Sequence, residues 1–214
     1  MRRRSEGYFA AAYHFCSAVM GARYRLCYSG AENIPRQGTA LILPKHQSME
    51  DIIHEGIFFM KHLRRGAYWV MRKSGLPKVL ERLGGVAINR PCDLHKILDR
   101  EERRKAIEAA KAENDAARGY VKLLYRNGEL VVVHPEGTRS PGRIGKVRSD
   151  FIDLARAVQE DCGIRIPAIP MGIEYTPNGE VFVRAGEPLD VSQPGIVEAV
   201  EEEMRRLSNI RGQQ

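Results

Sequence analysis

Short apolar runs, each too brief for a buried helix, recur along this chain and alternate with segments of helical spacing. The runs are Tyr24–Tyr28, Ala40–Leu43, Ala67–Met71, Val86–Ile88, Leu130–Val133, Ile164–Ile173 and Val181–Arg184. They are rich in Val, Ile, Leu and Tyr and are bounded by Gly, Pro or charged residues, so they read as strands. Helical patterns lie near Ser48–Lys61, Leu76–Leu83, Leu94–Tyr125, Ser149–Gln159 and Pro194–Ser208. Strands interleaved with helices predict an α/β fold: a mixed, mostly parallel sheet covered by helices. There are no internal repeats and no linker, and 214 residues suit one domain with a sizeable core.

Composition narrows the partners. Hydrophobic residues make up 43% and charged residues 29%, an ordinary globular balance. Lys and Arg number 34 against 27 Asp and Glu, a net charge of +7. That surplus suits nucleic acid, an anionic membrane or phosphorylated substrates. The nucleic-acid reading lacks an aromatic-interleaved basic patch, a helix-turn-helix signal and zinc-ligand spacing, so no nucleic-acid partner is expected. Cys16, Cys27, Cys92 and Cys162 form no C-x-x-C pair. Reduced thiols and no metal site are expected.

At the N-terminus, Arg2, Arg3 and Arg4 precede an apolar run from Tyr8 to Met20. This run is well short of the roughly 20 residues a helix needs to cross a bilayer. Residues 1–23 therefore read either as an interfacial helix meeting anionic head groups or as an ordinary first helix packed on the core. Residues 24–214 form the main domain.

Four constellations carry chemistry. In Leu41-Ile-Leu-Pro-Lys-His46-Gln-Ser48-Met-Glu-Asp51, a strand ends at Pro44 and a histidine sits in the following turn. Ser48 and Asp51 have the spacing of a helix-capping pair. Asp51, five residues beyond His46, can fold back to hold one imidazole nitrogen and leave the other free as a general base. In Gly84-Gly85-Val-Ala87-Ile-Asn-Arg90, two glycines permit close backbone approach before a strand ending in arginine, whose fork suits a phosphate. In Leu130-Val-Val-Val-His134-Pro-Glu136-Gly137-Thr138-Arg139-Ser140, a Val-rich strand runs into a turn dense in polar function. There Arg139 can neutralise a phosphate and Glu136 can accept hydrogen bonds from a polyol. In Ile166-Pro167-Ala-Ile-Pro170, two prolines three apart argue against the middle of a regular sheet and for an irregular strand lining a groove.

In this order the four resemble the signature blocks of the glycerolipid acyltransferase family, which includes 1-acylglycerol-3-phosphate acyltransferases. Those blocks are H-x-x-x-x-D, G-x-x-F-I-[DN]-R, F-P-E-G-T-R-S and an apolar V-P-x-x-P run. The likeness spans about Tyr28 to Pro188 and is most specific from Pro135 to Ser140. It implies that residues 24–214 are a catalytic domain with His46 as general base and Asp51 as its orienting partner. It implies further that Arg90, Glu136, Gly137, Thr138 and Arg139 bind a glycerol phosphate, and that Pro167 and Pro170 contribute to an apolar site. Departures are Ala87 at the aromatic position of the second block and His134 where the third block carries Phe. His134 reads as a locally satisfied histidine outside the catalytic set.

The resemblance implies transfer of a fatty acyl group from acyl-CoA or acyl carrier protein to lysophosphatidic acid. The product is phosphatidic acid, no cofactor is needed, and the enzyme works at the cytoplasmic face of a membrane. Lacking a G-x-S-x-G elbow, the chain needs no nucleophile of its own, because a thioester is already activated. The alternatives are another acceptor (glycerol-3-phosphate, an ether lysolipid or a glycolipid) or a hydrolase using the same dyad on water.

Overall fold

The computed structural model describes residues 5–73 and 78–210. Its strands are β1 (Arg25–Ser29), β2 (Ala40–Pro44), β3 (Ala67–Arg72), β4 (Gly85–Ile88), β5 (Leu130–Val133), β6 (Pro167–Tyr175), β7 (Glu180–Ala185) and β8 (Leu189–Asp190). Its helices are α1 (Glu6–Arg23), α2 (Asp51–Leu63), α3 (Lys78–Arg82), α4 (Pro91–Leu94), α5 (Arg100–Arg126), α6 (Asp150–Cys162) and α7 (Ile196–Leu207). The strands form one sheet in the order β1-β7-β6-β2-β5-β3-β4, with β8 also paired to β6. Only the β6–β7 and β6–β8 pairs are antiparallel. The mixed, mostly parallel α/β sheet is thus present.

Burial on both faces explains why the central strands are apolar at every position rather than alternately. Leu41, Leu43, Tyr68, Val70, Val131 and Val133 face a layer holding Val121 and Leu124 of α5, Ile152 and Val158 of α6, and Val200 and Met204 of α7. Ala40, Ile42, Ala67, Trp69, Leu130 and Val132 face Phe58 and Phe59 of α2 and Phe9 of α1. The connection β2–α2–β3 passes over β5 on the second face. The connection β5–α6–β6 passes over β2 on the first. Neighbouring parallel strands whose crossovers leave to opposite faces open a crevice at their carboxyl ends, where ligands bind in such sheets.

Several boundaries differ from the sequence reading. The helix expected over Leu94–Tyr125 begins only at Arg100, because Leu94 ends the separate α4, and Asp99 has an extended backbone and a side chain that accepts from the Glu102 N–H at 2.7 Å, starting α5 afresh. Such a cap is worth about 1 kcal/mol. Of the helix expected over Leu76–Leu83, residues 76 and 77 lie outside the described residues, as do Arg2, Arg3 and Arg4. Pro167 and Pro170 require a correction, since both belong to a regular strand inside the sheet. Pro167 opens β6, and Pro170 pairs with Leu43 of β2. The Pro170 carbonyl accepts from Gly186 at 2.8 Å, so its missing N–H faces the gap between the β8 and β7 pairings. No ladder donor is lost there.

Helix α1 packs through Phe9, stacked on Trp69 with ring centroids 6.1 Å apart, and through Met20. Its Tyr8, Phe15 and Val19 remain exposed, Phe15 at 70%. Among the described residues no helix is long and apolar enough to cross a membrane. Cys16, Cys27 and Cys162 are free thiols, while the Cys92 side chain lies outside the described residues.

Candidate active site

His46 follows β2 and His134 follows β5, so the parallel pairing of these strands sets both histidines at the same edge. Asp51 opens α2 and turns back on the histidine. Its Oδ2 lies 2.9 Å from His46 Nδ1 and also accepts the N–H groups of Gln47 and Ser48, at 2.6 and 2.8 Å. Its Oδ1 accepts the Tyr175 hydroxyl at 2.7 Å. The expected Ser48 cap is not made: the residue preceding α2 is Glu50, and Asp51 gathers the free backbone N–H groups instead. Burial pushes the Asp51 carboxyl up. Hydrogen bonds from His46, Ser48 and Tyr175 outweigh it and leave the carboxyl below its usual range. A fully buried carboxylate so held fixes the imidazole, with Nδ1 facing Asp51 and Nε2 left for substrate.

His46 lines a cavity of about 620 Å³. Its apolar lining comes from Leu43, Val70, Met71, Ile88, Val133 and Phe151. Its charged lining is four guanidinium groups, Arg72, Arg90, Arg139 and Arg148, against a single carboxylate, Asp150. Arg72 is paired with Asp93 at 2.6 Å, and Arg90 donates to the Gly137 carbonyl at 2.8 Å. Arg139 and Arg148 are exposed and have no ion pair among the described residues. A pocket lined by both apolar and cationic side chains suits an acyl chain joined to a phosphate.

The two sequence blocks are bolted together below this cavity. Lys45, fully buried, donates to Glu136 Oε2 at 2.8 Å, to the Ser140 carbonyl at 2.8 Å and to the His46 carbonyl at 2.9 Å. Glu136 Oε2 also accepts the His46 N–H at 3.0 Å, and its Oε1 accepts the Gly145 N–H. Glu136 therefore departs from its expected role: its carboxylate is buried and occupied by protein donors, not directed at a polyol. Gly137, Thr138 and Arg139 do line the cavity, as does Arg90. Gly137 has φ +67, and a Cβ there would sit 3.5 Å from the Arg148 guanidinium. Pro167 and Pro170 are not among the lining residues. The Gly84-Gly85 reading holds, because a Cβ on Gly85 would stand 2.9 Å from the Leu80 carbonyl.

Sequence reasoning missed Lys45, Glu55, Trp69, Tyr175, Arg72 and Arg148. His134 is satisfied locally, as expected, through Nε2 and Glu55 Oε1 at 2.9 Å, yet its ring also lines the cavity, with its centroid 4.2 Å from that of His46. Ligand atoms of His46, Asp51 and His134 lie within 4.8 Å of one another. Hydrogen bonds to Asp51 and Glu55 account for that proximity, and the arrangement is that of paired imidazole–carboxylate dyads.

Comparison with known proteins bears on the fold and the family. No curated protein matches the chain. Among solved structures, it resembles the crystal structure of the 1-acyl-sn-glycerophosphate (LPA) acyltransferase PlsC from Thermotoga maritima, at 20% identity and a TM-score of 0.65. The match covers 100% of this chain and 86% of that one, and at this identity it speaks for the fold. The model of the Acyltransferase family matches residues 25–174, the stretch that contains both dyads and the arginine-bearing turn, and the chain belongs to that family.

Proposed function

We propose that this acyltransferase moves a fatty acyl group from acyl-CoA or acyl carrier protein to the free hydroxyl of 1-acylglycerol-3-phosphate, giving phosphatidic acid for phospholipid synthesis. The observation that carries the reading is the His46–Asp51 dyad opening on a cavity lined by apolar side chains and by two arginines that have no carboxylate partner among the described residues. His46 Nε2 removes the proton of the acceptor hydroxyl, and the oxygen attacks the thioester carbonyl. The tetrahedral intermediate collapses with loss of thiolate, which takes the proton back from His46. Base assistance of this kind is worth about 10²–10⁴-fold. The acceptor phosphate is held by Arg139 and Arg148, with Arg90 fixing the turn that bears them.

The reaction is proposed to run at the cytoplasmic face of a membrane, the enzyme lying on the surface without spanning it. Exposed Tyr8, Phe15 and Val19 give α1 apolar side chains for an interface. Arg23 at the end of α1 pairs with Glu50 at 2.6 Å, beside the turn that carries His46. Exposed Met49 stands in that same turn and lines the cavity.

The test offers purified protein oleoyl-CoA with lysophosphatidic acid, and identifies product lipids by mass. Phosphatidic acid formed by the native enzyme and abolished in His46→Ala supports the proposal. Release of free oleate at the same rate without acceptor would refute it in favour of a hydrolase.

A further inference from the structure

Asp51 and Glu55 are one turn apart on α2, so their carboxylates leave the same face of the helix. Each meets a histidine from the end of a different strand: Asp51 meets His46, and Glu55 meets His134. Glu55 is fully buried, and its other oxygen accepts the Trp69 indole N–H at 2.7 Å. No Lys or Arg pairs with it among the described residues. A buried carboxylate without a matching cation is very costly, and His134, hydrogen-bonded to it, is placed to supply that charge. With Nε2 committed to Glu55, Nδ1 is the His134 nitrogen left for the cavity its ring lines.

We propose that His134, held as an imidazolium by Glu55, donates from Nδ1 to the thioester carbonyl oxygen and stabilises the negative charge that develops there. The inference rests on the acyl-transfer reading above. As the acceptor oxygen bonds to the carbonyl carbon, the carbonyl π pair moves onto oxygen beside the His134 N–H. Collapse returns that pair to the carbonyl and breaks the C–S bond, and the thiolate leaves with the proton held by His46. His134 keeps its own proton throughout, so the two adjacent imidazoles, tilted 36° to one another, divide the work of base and electrostatic donor. The carboxylates around His134 favour this state, against His46 beside it and the guanidinium groups of the same cavity. Burial draws its pKa down, but Glu55, through both charge and hydrogen bond, then Asp51 from the same helix and Glu136 from its own turn, bring it above the ordinary histidine value.

The experiment compares His134→Phe, His134→Gln and Glu55→Gln with the native enzyme, using oleoyl-CoA and 1-oleoyl lysophosphatidic acid in detergent micelles. His134→Phe restores the aromatic residue of the family pattern and removes the donor. Its kcat should fall about 10²–10³-fold, the loss typical of one missing oxyanion donor, with KM for the acceptor little changed. The native kcat should decline as pH rises through the His134 titration. Glu55→Gln should move that decline to lower pH, and His134→Gln, which cannot titrate, should abolish it. Native turnover with kcat unchanged in His134→Phe overturns this inference alone. If that variant fails to fold, a His134→Gln pH profile superimposable on the native one overturns it equally. No turnover by the native enzyme refutes the acyl-transfer reading and this inference with it.

Discussion

Replacing Lys45 by Met removes a charge while nearly preserving side-chain volume, and the structure specifies what is lost. Three hydrogen bonds of 2.8 to 2.9 Å vanish, and the carbonyls of His46 and Ser140 lose a donor. The Glu136 carboxylate, wholly buried, keeps only the backbone N–H groups of His46 and Gly145. Removing one partner of a buried ion pair costs about 3–5 kcal/mol, a large share of the ~5–15 kcal/mol that holds a domain together. At about 2–4 °C per kcal/mol for a domain of this size, the melting temperature should fall on the order of 10 °C. Urea unfolding followed by circular dichroism measures the change directly. The double variant Lys45→Met with Glu136→Leu should be far less destabilised than the sum of its parts, since no charge is then stranded. A loss below about 1 kcal/mol in Lys45→Met, or simple additivity in the double variant, would contradict the claim that this pair bolts the two blocks together.

Other perturbations bear on the site itself. Asp51→Asn should lower kcat at least about 10²-fold, because the imidazole orientation is no longer enforced; steady-state kinetics at saturating acceptor measure this. Asp51 also ties stability to pH. Its carboxyl sits below the usual range, so its contribution is complete above the ordinary carboxylate pKa and is lost as pH falls through the depressed value. Acid-unfolding curves of Asp51→Asn should lack that component. Tyr175→Phe removes one donor from Asp51 Oδ1 and should lower kcat with little change in acceptor KM, a split that a role in acceptor binding would reverse. Arg148→Ala and Arg139→Ala should raise KM for lysophosphatidic acid about tenfold or more each, while KM for monoacylglycerol, which lacks the phosphate, stays unchanged; equal effects on both acceptors would place the phosphate elsewhere.

Much of this architecture was legible because short apolar runs and helical periods report burial locally. Leu130–Val133 reads as a strand, and it is one, buried on both faces. His46 and Asp51 were legible because their partnership spans five residues. Lys45 and Glu136 were not, since 91 residues separate them and only the β2–β5 pairing brings them together. A lysine directly after an apolar strand was the available hint, and it is equally the mark of a strand leaving the core. Glu55, on a helix, and Trp69 and Tyr175, on apolar strands, are ordinary residues of their elements until the sheet order is known. The prolines misled because a lost N–H matters only where a partner strand needs it, and Pro170 faces a break between two short pairings.

The opposed crossovers of β2 and β5 have a consequence for folding. The His46–Asp51 dyad is encoded before residue 52 and the Pro135–Ser140 turn after residue 133, and no local hairpin or single βαβ unit contains both. Closure of so distant a pairing carries the loop-entropy cost that slows folding, and forms that lack it should be inert. Turnover is then a stopwatch for completion of the sheet: in a refolding experiment, catalysis should lag behind recovery of helical signal.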